Sequence, residues 1–287
     1  MTVPFDALLV NGIRDAGVSA LDRGLHFGDG LFETIACVKQ RPRFLPLHLE
    51  RLEFGCERLQ IPPPNLDEIR AEVMELAAGG GETVDRAIVK VLVTAGAALA
   101  RGYARSGSET ATRITIRYPW PHESAAQLHD GVMVRTLTLR LGENPRLAGL
   151  KHCNRLEQVL ARAELATEPA LAEGLLFSSS GNLVSGTLSN VFLVRESCLL
   201  TPRIDLCGVA GVMRRVVLRE ARQVGIPTRE CELRAQDVQT ADEVFLTNAR
   251  IGIWPVRTLD ARELTPGPVT RHLQSVLTPL LDEPADA

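Results

Sequence analysis

The chain has 287 residues, of which 45% are hydrophobic and 23% charged, and its formal net charge is −3. This composition is typical of a globular protein with a large core, in one domain or two, and the negative balance argues against a general nucleic-acid binder. No apolar run has membrane-spanning length, and residues 1–6 lack the basic start and apolar stretch of a secretory leader, so we expect a cytoplasmic protein without membrane association. The six cysteines are scattered without metal-ligand spacing, which predicts reduced, mostly buried thiols and no metal site.

The N-terminal part is predicted to contain strands and a helical layer. Asn11-Gly12 follows an apolar stretch and indicates a hairpin, because this pair readily adopts positive φ angles. Leucines at three- and four-residue steps predict a helix over 46–60. A second helix over 65–78 has Asn65 as its cap and the glycines 79–81 as its stop. Strands are predicted at 31–38, 86–94 and 112–118.

A Pro-Trp-Pro-His-Glu stretch at 119–123 breaks this pattern and divides the chain. We predict a smaller N-terminal domain at 1–120, a connection at 121–130 and a larger C-terminal domain at 131–287. Without regular βαβ alternation, the mixture predicts an α+β fold with two lobes. Ser178 to Asn182 indicates a hairpin turn rather than a nucleophile. In the larger domain we predict helices at 154–165, 212–224 and 269–281, and strands at 132–139, 174–177, 191–195, 198–200 and 243–247.

Lysine is almost absent, since the 32 basic residues include only Lys39, Lys90 and Lys151. Arginine stays charged, whereas a lysine can lose its proton and attack a carbonyl. A genome that favours arginine codons explains most of the bias, but not why these three remain. Lys39 lies in a polar stretch typical of a turn, and Lys90 is expected to point out of the polar face of its strand. Lys151 is the candidate catalytic amine.

A second candidate feature is an anion site where small residues, 208–211, lead directly into a helix. Free backbone N–H groups at a helix start bind anions, although a plain tight turn has the same pattern. Arg51 is either a side-chain partner for such an anion or a solvated helix charge. Thr247 to Ala249, at the end of a strand, offer further donors. A reactive lysine and an anion site together suggest an aldehyde cofactor with a phosphate, and pyridoxal phosphate fits.

The segment 22–34, Asp-Arg-Gly-Leu-His-Phe-Gly-Asp-Gly-Leu-Phe-Glu-Thr, resembles the N-terminal signature of the fold-type IV pyridoxal-phosphate enzymes. This class contains branched-chain and D-amino-acid aminotransferases and 4-amino-4-deoxychorismate lyase. The similarity continues in the family's order through 48–52, Lys151 with Asn154, 189–192, 208–214 and 245–249, which covers nearly the whole chain.

The resemblance implies two lobes with the cofactor between them, and a homodimer whose active sites border the partner subunit. It implies that Lys151 forms the Schiff base with pyridoxal phosphate. The other cofactor-binding residues that it implies are Arg51, Ser185, Gly211, Val212, Met213, Thr247, Asn248 and Ala249.

Two segments favour the lyase branch, which eliminates pyruvate to leave 4-aminobenzoate for folate synthesis. Residues 149–158 resemble the lyase form, with Arg155 near the position of an aminotransferase tyrosine, and 101–103 resemble its substrate loop. Ala95 stands where D-amino-acid aminotransferases and many lyases carry arginine. The expected substrate contacts are Phe32, Arg101, Tyr103 and Arg155, with Arg250 as a further candidate. An aminotransferase, and a relative that binds or regulates without turnover, remain alternatives.

Ser185 departs from the family pattern, because the family has a glutamate there that faces the pyridine nitrogen. A carboxylate keeps that nitrogen protonated and makes the cofactor a strong electron sink, whereas serine offers only a neutral hydrogen bond. Elimination that creates an aromatic ring tolerates a weaker sink better than transamination does. Ser185 therefore favours the lyase, although an impaired enzyme or a different activity would also be compatible with it.

Overall fold

The computed structural model describes residues 5–79, 85–98, 100–121 and 125–282, which form an α+β protein in two compact units. The first unit comprises Met1–Pro121, Leu150–Asn154 and Leu280–Ala287, and the second comprises His122–Gly149 and Arg155–Pro279. The division at 121–130 stays a prediction, and its residues 122–124 lie outside the described ranges. The segment that carries Lys151 belongs to the first unit, which the sequence did not indicate. Across the described ranges, no helix is both long and apolar enough to span a membrane.

The first unit is built on an antiparallel sheet with the strand order β2-β1-β6-β5-β3-β4. Its strands are β1 Ala7–Val10, β2 Ile13–Arg14, β3 Gly30–Val38, β4 Arg41–Pro42, β5 Arg86–Thr94 and β6 Thr112–Pro119. The predicted hairpin is confirmed, since Val10 pairs with Ile13 while Asn11 and Gly12 have φ angles of 50° and 78°. Lys39 is exposed in the turn between β3 and β4, as predicted.

Two long helices cover one face of this sheet, and both were predicted. They are α2 Leu45–Leu59 and α3 Leu66–Ala78, whereas the short α1 Arg23–Phe27 was not predicted. Asn65 caps α3 by accepting from the N–H groups of Asp67 and Glu68. The helix ends at Gly79, and the predicted stop residues 80 and 81 lie outside the described ranges. The face toward the helices is fully buried at Ile35, Val89 and Val91.

The second unit contains a nine-stranded mixed sheet. Its strands are β7 Val132–Leu141, β8 Glu173–Ser178, β9 Leu183–Gly186, β10 Asn190–Arg195, β11 Cys198–Pro202, β12 Thr228–Cys231, β13 Glu243–Asn248, β14 Gly252–Leu259 and β15 Arg262–Glu263. The order is β12-β11-β10-β13-β14-β7-β8-β9, with β15 beside β14. Because β9 at one end also approaches β10 and β11, the sheet curls around its own core. Gly181, with φ 82°, turns the β8–β9 hairpin, which confirms the turn predicted at 178–182.

Helices complete the second unit, and the three that were predicted are present. The helices are α4 Ala125–His129, α5 Leu156–Leu165, α6 Val212–Gln223, α7 Ala235–Thr240 and α8 Pro268–Asp282. α6 buries Val216, Val217 and Ala221 on one side, which is the spacing of an amphipathic helix. In the core the rings of Phe192 and Phe245 stack with their centroids 4.9 Å apart.

All six cysteines are free thiols, but they are less buried than the sequence predicted. Only Cys37 and Cys56 are buried, and burial raises the pKa of each thiol to about 12. Cys153, Cys198, Cys207 and Cys231 are half-buried.

Candidate active site

Lys151 is held in the first unit by backbone pairing along the edge of β3. The N–H of Phe32 donates to the carbonyl of Lys151 at 2.9 Å, and the N–H of Cys153 donates to the carbonyl of Gly30 at 2.9 Å. Asn154 continues this attachment by donating from its Nδ2 to the Gly28 carbonyl at 3.1 Å. The segment thus behaves as a short extra strand, which fixes the backbone from which Lys151 projects.

The amine of Lys151 lies over the ring of Phe32, with Nζ 4.2 Å from the ring centroid. Lys90 also reaches this ring, with Nζ 5.2 Å from the centroid. The prediction that Lys90 points out of a polar face is therefore wrong. β5 pairs with β3 so that Lys90 and Leu92 lie on the same face as Phe32, and all three side chains are half-buried. Two of the three lysines in the protein thus converge on one aromatic ring.

On the opposite face of β3, Glu33 orients Arg51 and His48 of α2. The Nε and Nη2 of Arg51 donate to the two carboxylate oxygens at 2.7 and 2.5 Å, and His48 Nδ1 lies 2.6 Å from the same carboxylate. Burial by itself would raise the pKa of Glu33, but Arg51 and His48 lower it to about 2. The carboxylate is therefore ionised, and its two-oxygen pairing fixes the plane of the Arg51 guanidinium.

His48 has an unsatisfied ring nitrogen in this buried cluster. Burial lowers the pKa of His48 despite the neighbouring Glu33, so a neutral imidazole donates its Nδ1–H to that carboxylate. Its Nε2 then remains as a buried acceptor without a hydrogen-bond partner among the described residues. A buried polar atom of this kind indicates a place for a donor that completes the site.

In the second unit, the predicted anion site is a helix start without a side-chain cap. Gly211 is the N-cap residue of α6, with φ −64° and ψ 140°, and no side chain accepts from the first N–H groups. The side chains of Val212 and Met213 are buried, so these residues offer backbone N–H groups rather than side chains. These groups and the positive end of the helix dipole suit a phosphate.

Asn190 connects this helix start with the end of β13. Its Nδ2 donates to the Val209 carbonyl at 2.9 Å, while its backbone pairs with Thr247. A Cβ on Gly211 would lie 2.0 Å from Asn190 Oδ1, so only glycine permits this approach. Asn190 thus connects the residues before the helix start to the strand that ends at Thr247 and Asn248.

The three residues at the end of β13 differ in their available groups. Thr247 is fully buried and its hydroxyl donates to the Gly252 carbonyl at 2.6 Å. Asn248 donates from Nδ2 to the Leu188 carbonyl and accepts the N–H groups of Arg250 and Ile251. Ala249 is half-buried and has no polar side chain. Their predicted contact with a cofactor stays a prediction.

Ser185 lies on β9, and its hydroxyl donates to the adjacent Gly186 carbonyl at 2.8 Å. Glu173, on the neighbouring strand, uses both carboxylate oxygens to hold the following loop. One oxygen accepts the N–H and hydroxyl of Thr187, and the other accepts from Leu188 and Ser189. Glu173 is therefore committed to the loop, and Ser185 presents only a neutral hydroxyl.

The predicted substrate residues belong to both units. Phe32 adjoins Lys151, but Arg101 and Tyr103 lie exposed on a loop of the first unit, where the Tyr103 ring packs on Phe27 at 5.3 Å. In the second unit, Arg155 precedes α5 and is half-buried. Arg250 lies over the Trp254 ring at 5.5 Å, and burial lowers its pKa.

Sequence reasoning missed the roles of Glu33 and Lys90. Glu33 lies within the signature segment 22–34. Because neighbouring residues of a strand point to opposite faces, the sequence could have shown that Glu33 and Phe32 lie on different faces of β3. Lys90 could have been found from strand pairing, but pairing partners are not visible in one sequence. No group of three or more His, Cys, Asp or Glu side chains in the described ranges is arranged to hold a metal ion.

Comparison with known proteins gives one consistent family. The model of amino-transferase class IV matches residues 30–259. The aminodeoxychorismate lyase of Vibrio harveyi is 34% identical over 93% of this chain and 98% of its own length. The putative branched-chain-amino-acid aminotransferase of Methanocaldococcus jannaschii is 30% identical over 91% of this chain and 90% of its own length. The crystal structure of 4-amino-4-deoxychorismate lyase from Pseudomonas aeruginosa has a TM-score of 0.90 at 43% identity, and covers 96% of this chain and 99% of that one.

Proposed function

Because this chain belongs to the amino-transferase class IV family, with its fold-type IV architecture, we propose that it is a pyridoxal-phosphate-dependent 4-amino-4-deoxychorismate lyase. It would release pyruvate and leave 4-aminobenzoate, a precursor in folate biosynthesis. The observation that carries this choice is the 43% identity with the Pseudomonas aeruginosa lyase across nearly all of both chains.

The described residues fit the cofactor. When bound, pyridoxal phosphate supplies an aldehyde for covalent attachment and a ring that withdraws electrons from the substrate. Lys151 is the proposed attachment point. The uncapped N–H groups at Gly211, Val212 and Met213 would hold the phosphate, with Arg51 as its cation. Thr247, Asn248 and Ala249 complete the proposed set. His48 Nε2, a buried acceptor without a hydrogen-bond partner among the described residues, could accept from a bound group in the first unit.

Lys151 would perform the proton transfers of the elimination. As the proposed attachment point of the cofactor, its amine must be uncharged. The same amine, as a free base, would remove the proton from the ring carbon that bears the substrate nitrogen, and would supply or relay one to the departing enolpyruvate oxygen. The Phe32 ring, with its centroid 4.2 Å from Nζ, packs against this amine.

Cationic side chains would recognise the two carboxylates of the substrate. Arg101, Tyr103 and Arg155 remain the proposed contacts, with Arg250 as a weaker candidate. The structure adds Lys90, because its amine shares the Phe32 ring with Lys151 and can pair with a carboxylate in that place.

Ser185 supports elimination over transamination. It offers the ring nitrogen only a neutral hydrogen bond, and Glu173 is held by the loop 187–189. A weakly protonated ring accepts electrons poorly, and transamination depends on that capacity for a full half-reaction. The aminotransferase alternative keeps support from the 30% identity with the Methanocaldococcus jannaschii relative. A homodimer and a cytoplasmic location are further parts of the proposal.

A pyruvate-release assay tests the proposal directly. The holoenzyme is mixed with aminodeoxychorismate, and pyruvate and 4-aminobenzoate are measured in equal amounts over time. A parallel reaction with a branched-chain or D-amino acid and 2-oxoglutarate measures glutamate. Glutamate without pyruvate would favour the aminotransferase, and neither product would favour a relative without turnover. Borohydride reduction followed by peptide mass spectrometry checks whether the cofactor attaches at Lys151.

A further inference from the structure

The signature segment contains three charged residues that the proposed chemistry does not use. Asp22 caps α1 by accepting the Gly24 N–H at 2.8 Å, and it also accepts the Thr94 hydroxyl at 2.9 Å. This cap fixes the start of α1, from which Arg23 extends inward with only 4% of its surface exposed. Burial of an arginine is costly unless its donors are satisfied, so the partners of Arg23 indicate its purpose.

Arg23 holds the backbone of the loop that follows β5. Its Nη2 donates to the Tyr103 carbonyl at 2.6 Å, and its Nη1 lies 3.5 and 3.4 Å from the carbonyls of Gly102 and Ala104. Its Nε donates to Asp29 at 2.8 Å. One buried guanidinium therefore contacts three consecutive carbonyls of a single loop.

Asp29 joins Arg23 to a second arginine at the end of the same loop. Arg105 donates from Nε to Asp29 Oδ2 at 3.1 Å, and from Nη2 to Oδ1. The Nη1 of Arg105 donates to the carbonyls of Leu59 and Gln60 at the end of α2. Although burial alone would raise the pKa of Asp29, Arg105 and Arg23 lower it, so an ionised carboxylate links both cations.

The cluster of Arg23, Asp29 and Arg105 fixes the loop backbone, while the side chains of Arg101 and Tyr103 on that loop are exposed. Tyr103 is 84% exposed and Arg101 is exposed. Gly102 has φ 104°, a conformation that side chains rarely adopt, and a Cβ there would meet nothing within 4 Å. Ordering an exposed loop costs backbone entropy, which charge-assisted hydrogen bonds offset. A loop held in this way presents its side chains in one arrangement before a ligand binds.

We infer that Arg23, Asp29 and Arg105 are positioning residues that fix the loop 101–105 for recognition of an anionic substrate through Arg101 and Tyr103. The part of this inference that concerns the substrate rests on the proposed function. The part that concerns the loop does not, because it follows from the contacts within the first unit.

The experiment compares the Asp29→Asn holoenzyme with a matched control, Glu72→Gln. Glu72 is also a buried carboxylate of the first unit, paired with Arg113 at 3.0 Å and with the Thr115 hydroxyl at 2.7 Å. Trypsin cleavage after Arg101 and Arg105, and amide hydrogen exchange over 100–106, report on the loop without substrate. We expect trypsin to cleave Asp29→Asn about tenfold faster, because the loss of one charge-assisted hydrogen bond should raise the population of the open, cleavable loop by roughly that factor. We expect no change in the cleavage rate of Glu72→Gln. Unchanged cleavage and exchange in Asp29→Asn would overturn the inference.

Kinetics on aminodeoxychorismate separate positioning from a general loss of structure. We expect KM to rise about tenfold in Asp29→Asn while kcat and the absorbance of the bound cofactor stay nearly constant. Arg101→Ala should raise KM in the unsubstituted protein. In the Asp29→Asn background it should raise KM little further, because the two residues act together. Equal losses in kcat and cofactor binding would instead indicate a structural role and contradict positioning.

Two further outcomes remain interpretable. If Asp29→Asn does not fold, Arg105→Lys keeps the charge but removes the fork that contacts Asp29 and α2, and the same measurements apply. If the natural chain has no lyase activity, the proposed function fails, while the cleavage and exchange data still decide whether the cluster holds the loop.

Discussion

The two units build their candidate functional features by different means. In the first unit, buried ions orient one another, as Glu33 does for Arg51 and His48. In the second unit, the candidate anion site consists of backbone N–H groups and a glycine in close contact with Asn190. The first arrangement should be sensitive to charge and pH, and the second to added volume. The predictions below are ordered by the size of the expected effect.

Replacement of Lys151 should have the largest effect, because the proposed chemistry depends on its one amine. Lys151→Arg keeps the charge but cannot provide a neutral amine, so we expect kcat/KM to fall by on the order of 10³-fold or more. Lys39→Arg, in the exposed turn, is the matched control and should retain activity. Pyruvate release and covalent cofactor attachment are measured for both, and an active Lys151→Arg enzyme would remove this residue from the chemistry.

Glu33→Gln should reduce stability and change its dependence on pH. The folded pKa of about 2 lies below the ordinary value of 4.5, so the carboxylate stabilises the fold above about pH 4.5. That contribution is lost as the pH falls toward 2. At pH 7 we expect Glu33→Gln to lower the free energy of unfolding by about 3 kcal/mol, with a flatter decline in acid.

Urea unfolding between pH 7 and pH 3 measures this effect. Glu75→Gln is the control, because its ion pair with Arg14 is more than half exposed and should contribute less than about 1 kcal/mol. If the free energy of unfolding of Glu33→Gln fell with pH as steeply as that of the unsubstituted protein, Glu33 would not be the titrating group.

Gly211→Ala tests whether the start of α6 in the second unit tolerates one additional carbon atom. The new Cβ would lie 2.0 Å from Asn190 Oδ1, so the helix start or Asn190 must move. We expect a loss of about 1–3 kcal/mol in cofactor binding, measured by titration of the apoprotein with pyridoxal phosphate. Gly17→Ala has nothing within 4 Å of its Cβ and serves as the control. Unchanged affinity would place the phosphate elsewhere.

Ser185→Glu should have the smallest effect on activity and the most specific one. A carboxylate at this position would favour protonation of the ring nitrogen and so strengthen electron withdrawal. We expect the pH titration of the cofactor absorbance to shift, and glutamate formation from an amino acid and 2-oxoglutarate to rise severalfold. Ser179→Glu, on the exposed turn of the same hairpin, is the control. If neither spectrum nor glutamate formation changed, Ser185 would not face the ring nitrogen.

Local sequence signals predicted most regular elements and some of their details. The helices α2, α3, α5, α6 and α8 were predicted, α2 and α6 from their apolar spacing and α3 from its cap and glycine stop. Asn11-Gly12 predicted its hairpin. β14 was not predicted, because Pro255 interrupts it and a proline argues against an interior strand. α1 was not predicted either, since its five residues are too few for an apolar period.

The sequence by itself determined the family, the candidate lysine and the uncapped helix start, because each depends on residue identity and local spacing. Only the tertiary structure decided that Lys90 shares a ring with Lys151, that Glu33 orients Arg51, and that Asp29 joins two arginines to a loop. The Glu33–Arg51 and Asp29–Arg105 pairs are 18 and 76 positions apart, and Lys90 meets Phe32 across paired strands. They depend on strand register and on burial, which lowers the screening of charges and makes each pairing matter.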